Sequence, residues 1–195
     1  MDSATGAKMS PEVVTARYTI DPTKSRFTVR AFATGLLSGL GHNPVIAARD
    51  FSGRIDFAPD ALVESSLTFV VRADSLAVQN DVGDKDRREI ERTMKDVVLQ
   101  VEQFPEIIFE SRQVSGMRMG ENLYVAKIEG DLTLHGVTRR LTITAQVVPG
   151  EDAVRAYGEF LLKQTDFAIK LVSVVGGALK VKDELKFAFD IVARK

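Results

Sequence analysis

The chain has 195 residues but no cysteine, no tryptophan and only two histidines, His42 and His135. Without thiols there are no disulfides, no thiolate metal sites and no cysteine nucleophiles. Zinc draws on several nitrogen or sulfur ligands, and neither H-x-x-x-H nor H-E-x-x-H spacing occurs. There is no G-x-S-x-G elbow and no S-x-x-K pair, so a Ser–His system would need one of those two imidazoles. No metal and no cofactor is expected. An excess of one charge is also missing. The 26 Lys and Arg balance 27 Asp and Glu to a net −1, which leaves no electrostatic footprint for nucleic acid.

Long apolar runs are scarce too. The longest uncharged stretch, 31–48, is broken by Gly35, Gly39, Gly41, Asn43 and Pro44. A membrane-spanning helix needs about 20 predominantly apolar residues, so no stable membrane insertion is expected. The first 18 residues hold no secretory apolar core, since Pro11 and Glu12 interrupt them. The expectation is a flexible leader over 1–16, one domain over 17–195 and a cytoplasmic location.

What the chain does have is alternation. Leu185, Phe187, Phe189, Ile191 and Ala193 recur at every second position, as do Leu141, Ile143, Ala145 and Val147. Tyr124, Ala126, Ile128, Leu132 and Leu134 repeat the pattern, and so do Leu67, Phe69 and Val71. Period two, with one apolar and one wetter face, predicts antiparallel strands. Turn residues separate the runs at Ser52-Gly53, Ala58-Pro59-Asp60, Gly120-Glu121-Asn122, His135-Gly136 and Pro149 to Asp152. Many short strands punctuated this way predict an all-β barrel or sandwich.

One stretch, 84–99, changes to helical period and places Ile90, Met94, Val97 and Val98 on one face. Asp81 or Asp84 can cap its start, Glu91–Lys95 and Asp84–Arg88 are favourable i,i+4 pairs, and Pro105 bars continuation. An amphipathic helix is thus expected midway through the chain.

Polar candidates are few. His135 reads as a solvated turn residue, and Asp74, Asp131, Asp166 and Asp183 as turn or capping carboxylates. The backbone of Gly39 to Pro44 could meet a polar headgroup near His42, Asn43 and Arg49, although it lacks a P-loop lysine. The 11 phenylalanines say more. Phe27, Phe32, Phe69, Phe109, Phe160, Phe167, Phe187 and Phe189 lie in or beside strand candidates. Two uncharged loops, 36–44 and 171–179, together with the helix, could form an apolar mouth.

Several segments resemble the YceI-like family of lipid-binding barrels. They are Tyr18-Thr19-Ile20-Asp21 with Ser25, Phe51-Ser52-Gly53, the segment Phe104 to Ser111, Gly130 to Arg139 (GDLTLHGVTR), and Lys163 to Ile169. The resemblance runs from about Tyr18 to Ile191 and departs at T-G-L-L-S-G-L-G-H-N-P-V-I, where the family has a simpler segment near its cavity. It implies an eight-stranded antiparallel lipocalin-like β-barrel that binds, stores or transports a polyisoprenoid, an isoprenoid quinone or a fatty-acid derivative without catalysis. Strand parity then nominates Phe69, Ile128, Leu134, Ile143, Phe187 and Phe189 as lining. Phe32, Leu36, Leu40 and His42 would stand at the entrance. One alternative is a stress-response or interaction protein with a side-chain-filled barrel, acting through its surface or as a homodimer. Another is a lipid-modifying enzyme using His42 as acid or base.

Overall fold

The structure, a computed structural model, describes residues 13–34, 43–174 and 179–195. Leu36, Leu40, His42 and residues 1–12 of the predicted leader lie outside the described residues.

The barrel wall begins with three bent strands, each built from two pieces. They are β1 (Ala16–Ile20) with β2 (Arg26–Arg30), β4 (Val45–Ala47) with β5 (Phe51–Phe57), and β6 (Ser66–Arg72) with β7 (Ala77–Val78). Five unbroken strands follow: β8 (Glu106–Gly120), β9 (Leu123–Leu134), β10 (Val137–Pro149), β11 (Ala153–Lys163) and β14 (Glu184–Arg194). Every neighbour in the wall is antiparallel. The last strand returns to the first, with β14 pairing β1 at Thr19↔Arg194 and β2 at Phe27↔Phe189. The result is a closed eight-stranded antiparallel barrel, the fold the sequence predicts. Closure through β1 and β14 pairs the long strands on both sides, while the short β7, paired only with β4, has the helix pinned against it through Glu91. A second, three-stranded sheet is formed by β3 (Ala33–Thr34), β12 (Ser173–Val174) and β13 (Leu179–Val181).

Alternation sets the faces as expected. In β9 the even-numbered residues from Tyr124 to Leu134 point inward, and in β10 Ala145 and Val147 do so. The turn expected at Ser52-Gly53 is absent, because this pair lies inside β5. A Cβ on Gly53 would collide with the Thr68 carbonyl and the Ile20 side chain. Glycine is there to let β5 approach β6, not to turn the chain.

The bend between β1 and β2 is built from the residues that carry the family resemblance. Asp21 Oδ1 accepts hydrogen bonds from the Thr23 N–H at 3.0 Å and its hydroxyl at 2.6 Å. The Ser25 hydroxyl donates to the Asp21 carbonyl at 2.7 Å and accepts the Val192 N–H at 2.9 Å, tying the bend to β14. The hydroxyl and amide of Thr23 hold the Asp21 carboxyl below the usual carboxylate range.

The predicted helix exists in two parts. α1 (Asp84–Thr93) runs straight into a π turn, Met94–Val98, in which the Leu99 N–H donates to the Met94 carbonyl at 2.8 Å. The wider turn keeps Ile90, Met94 and Val98 on the barrel side but turns Val97 out to 64% exposure, against expectation. Neither Asp81 nor Asp84 caps the start. The N-cap is Gly83 at φ 32°, with no side-chain cap bond. The predicted Glu91–Lys95 and Asp84–Arg88 pairs are not among the ion pairs of the described residues. Glu91 instead accepts the Val78 N–H at 2.8 Å and pins the helix to β7. The turn ends before Pro105, at Gln100, whose φ of 49° breaks the helical path.

Candidate ligand-binding cavity

The helix, the small sheet and the β9–β10 hairpin gather at one end of the barrel, here called the upper end. The turns around 59–60, 121–122 and 150–152 lie at the other. Inward side chains behave differently at the two ends. Below, Tyr18, Phe57, Tyr124, Val147, Val154 and Ala193 are buried and fill the bore, with Phe57 and Tyr124 edge to face at 5.5 Å. Above, the inward residues stop short of one another and leave a cavity of about 560 Å³.

Phenylalanines form a belt in this region. Phe51 meets Phe69 at 5.5 Å, Phe69 meets Phe27 at 5.2 Å, and Phe27 meets Phe187 at 6.1 Å. Phe187 stacks on Phe160 at 4.8 Å, and Phe160 lies 6.4 Å from Phe189. Such rings supply large apolar area with few rotatable bonds. Phe32, Phe69, Ile128, Leu134, Ile143, Phe187 and Phe189, all nominated from the sequence, line the cavity.

Other wall residues were not nominated. Phe27, Leu67 and Phe160 follow from the same alternation and could have been found by it. Asp86, Glu89 and Thr93 come from α1, Lys180 from β13, and Gln164 from the short 3-10 turn Gln164–Phe167 after β11. Gln164 carries no sequence signal for burial, since it sits between Lys163 and Thr165, yet it is only 6% exposed. The turn tucks it inward. Its Nε2 donates to the Lys182 carbonyl at 2.9 Å, while Asp183 anchors the neighbouring Thr165 through both backbone N–H and hydroxyl. Those bonds from Thr165 hold the Asp183 carboxyl below its ordinary range.

His135 is not a solvated turn residue. It does occupy the two-residue β9–β10 turn, at φ 51° beside Gly136 at φ 73°. Its ring, however, lies 4.7 Å from Phe104, and its Nδ1 donates to the Phe167 carbonyl at 3.3 Å. That leaves Nε2 buried with no hydrogen-bond partner among the described residues. The imidazole thus fastens three segments beneath the upper rim. Asp131 is not a turn or capping residue either. It stands on the outer face of β9 and accepts Arg112 Nε at 2.7 Å and Arg140 Nε at 3.0 Å. Those two guanidinium groups keep its carboxyl well below the usual range.

The other signature positions are architectural too. Ser111 lies at a β-bulge in β8, and its hydroxyl accepts the Leu67 N–H at 2.8 Å. The Phe109 ring occupies the space that a side chain at Gly130 would need. Thr133 and Thr138 join their hydroxyls at 2.8 Å across the hairpin. Among the described residues no group of acidic or histidine side chains could hold a metal ion, and no helix is long and apolar enough to cross a membrane.

Fold and cavity together define a closed up-and-down barrel that is filled at one end and hollow at the other. Residues 18–193 match the model of the YceI-like domain, and the chain belongs to that family. It is 30% identical over 168 residues to a UPF0312 protein of Shewanella sp. strain MR-4, covering 85% of this chain and 81% of that protein. A UPF0312 protein of Shewanella baltica strain OS155 is 31% identical over 157 residues, covering 80% of this chain and 75% of that one. The fold is similar to Burkholderia cenocepacia BcnA, with a TM-score of 0.67, 20% identity and coverage of 89% of this chain and 98% of that one. It is also similar to a polyisoprenoid binding domain from Saccharophagus degradans, with a TM-score of 0.64, 14% identity and coverage of 91% and 97%.

Proposed function

We propose that the barrel binds, stores or carries a long apolar molecule, of the class of a polyisoprenoid, an isoprenoid quinone or a fatty-acid derivative. The observation that carries this reading is the hollow upper end, about 560 Å³ walled by the phenylalanine belt. Small-molecule pockets run from about 300 to 1,000 Å³ and are mostly apolar, and this cavity falls among them. Each methylene moved from water into such a wall contributes roughly 0.8 kcal/mol. A chain therefore gains affinity in proportion to the length it can insert. The Saccharophagus degradans domain, described as polyisoprenoid binding, supports the same chemistry. A side-chain-filled barrel acting only through its surface does not account for the hollow end.

The reading is of a binding protein and not a catalyst. The wall offers a chain aromatic and aliphatic contact along most of its extent, which suits holding better than transforming. Extraction of the purified protein with organic solvent, followed by mass spectrometry, should recover a long apolar molecule. Titration with farnesol or a fluorescent fatty acid should saturate at one site per barrel. Recovery of no such molecule together with no saturable binding overturns the reading.

A further inference from the structure

We propose that Gln164 is the polar anchor of the cavity and that the ligand presents to it a neutral hydrogen-bond donor, as a hydroxyl does. The inference rests on the binding role proposed above and specifies the head of the molecule bound. Gln164 is the one buried polar side chain among the described residues, at 6% exposure, and it lines the cavity. Its amide orientation is settled by chemistry. The Lys182 carbonyl can only accept, so the amide nitrogen faces it at 2.9 Å and the oxygen Oε1 faces away. No hydrogen bond to Oε1 occurs among the described residues. It is also not among the atoms shut off from open space without a partner, of which His135 Nε2 is the sole described case. An acceptor that is neither paired nor sealed, in a wall of phenylalanine and aliphatic side chains, is satisfied by a donor on whatever fills the space.

The chemistry of the acceptor also selects the head. A diphosphate or carboxylate head would bring only acceptor oxygens to the lone pairs of Oε1. A hydroxyl head would donate to Oε1 and add no charge. The backbone holds the anchor in place, because the Gln164 N–H donates to the Asp183 carbonyl at 3.0 Å and its carbonyl accepts from Ile169 at 3.3 Å. Little ordering of Gln164 is then required when the ligand arrives.

The test compares three probes with one chain: farnesol, farnesyl methyl ether and farnesyl diphosphate, titrated into the full-length protein and into Gln164→Met. The wild type is expected to bind the alcohol about 5- to 10-fold tighter than the ether, the size of one neutral hydrogen bond, and the diphosphate most weakly. Gln164→Met should remove the alcohol's advantage and leave ether binding within about twofold. Equal binding of alcohol and ether by the wild type, or tightest binding of the diphosphate, overturns the anchor while leaving the apolar cavity standing. Binding of none of the three overturns both. If the variant fails to fold, the wild-type ratio of alcohol to ether decides alone.

Discussion

The lower and upper ends of this barrel are made from the same strands with the same alternation, yet one end is solid and the other hollow. In β9, Tyr124 and Ala126 belong to the filled end, whereas Ile128, Leu132 and Leu134 look into the cavity. In β11, Val154 is fully buried, while Ala156, two residues on, lines open space. Inward orientation alone does not separate the two ends. What separates them is which side chains arrive opposite one another. Tyr18, Phe57 and Tyr124 converge below, and their bulk closes the bore. Above, the large rings lie along the wall against each other and leave the axis free.

The sharpest way to break this contrast is to hollow out the lower end. Phe57→Ala removes a ring that is 5% exposed and packed edge to face on Tyr124. Urea unfolding should show a loss of about 3–5 kcal/mol, because the well-packed surroundings cannot collapse into the space. The opposite experiment adds volume at each end. Val154→Phe overpacks the solid end and should lose about 1–3 kcal/mol. Ala156→Phe has room and should stay within about 0.5 kcal/mol of the wild type. The same Ala156→Phe side chain should take the place of about two methylenes of ligand, weakening farnesol binding roughly tenfold. Equal destabilisation by both insertions would erase the distinction between the ends.

Acid should loosen both ends together. Asp21, Asp56, Asp131, Asp183 and Asp190 all have carboxyls held below their ordinary values, Asp56 first by Arg17, Asp190 first by Arg155 and Asp183 by Thr165. A carboxyl with a lowered folded-state pKa contributes stability above its unfolded value, about 3.9, and loses it as pH falls through the folded value. Thermal unfolding should therefore shift downward below about pH 4, and a midpoint unchanged from pH 5 to pH 2 would contradict this. The smallest effect belongs to the upper rim. Ala168 sits at φ 56°, a left-handed conformation that costs a residue bearing a Cβ. Ala168→Gly should raise stability by about 0.5–1 kcal/mol, with ligand binding unaltered.

Much of the wall was legible in the sequence because a strand's faces follow from a local rule. Phe69, Ile128, Leu134, Ile143, Phe187 and Phe189 point inward for the same reason that Lys186 and Thr142 do not. The family motif was equally legible, but its residues proved to be joints. Asp21 and Ser25 fix a bend, Ser111 serves a bulge, and Gly130 makes room for Phe109. Other features had no local signature. Val97 is turned outward by a π turn that helical periodicity does not anticipate. His135 looks like any hairpin residue until Phe104 and Phe167 are brought to it from 31 and 32 residues away. Gln164 reads as a surface residue because its neighbours are polar, and only the turn that follows β11 folds it inside.

The sequence by itself determined the long strands, their faces, the helix midway along the chain and the family, since each depends on residues a few positions apart or on a continuous motif. The tertiary structure alone decided which end is solid, which is hollow and which polar group stands in the wall. Those outcomes depend on how volumes from strands more than 100 residues apart, such as Tyr18 and Tyr124, add up across the bore. Packing is a sum over partners in space, and alternation along the chain carries no record of that sum.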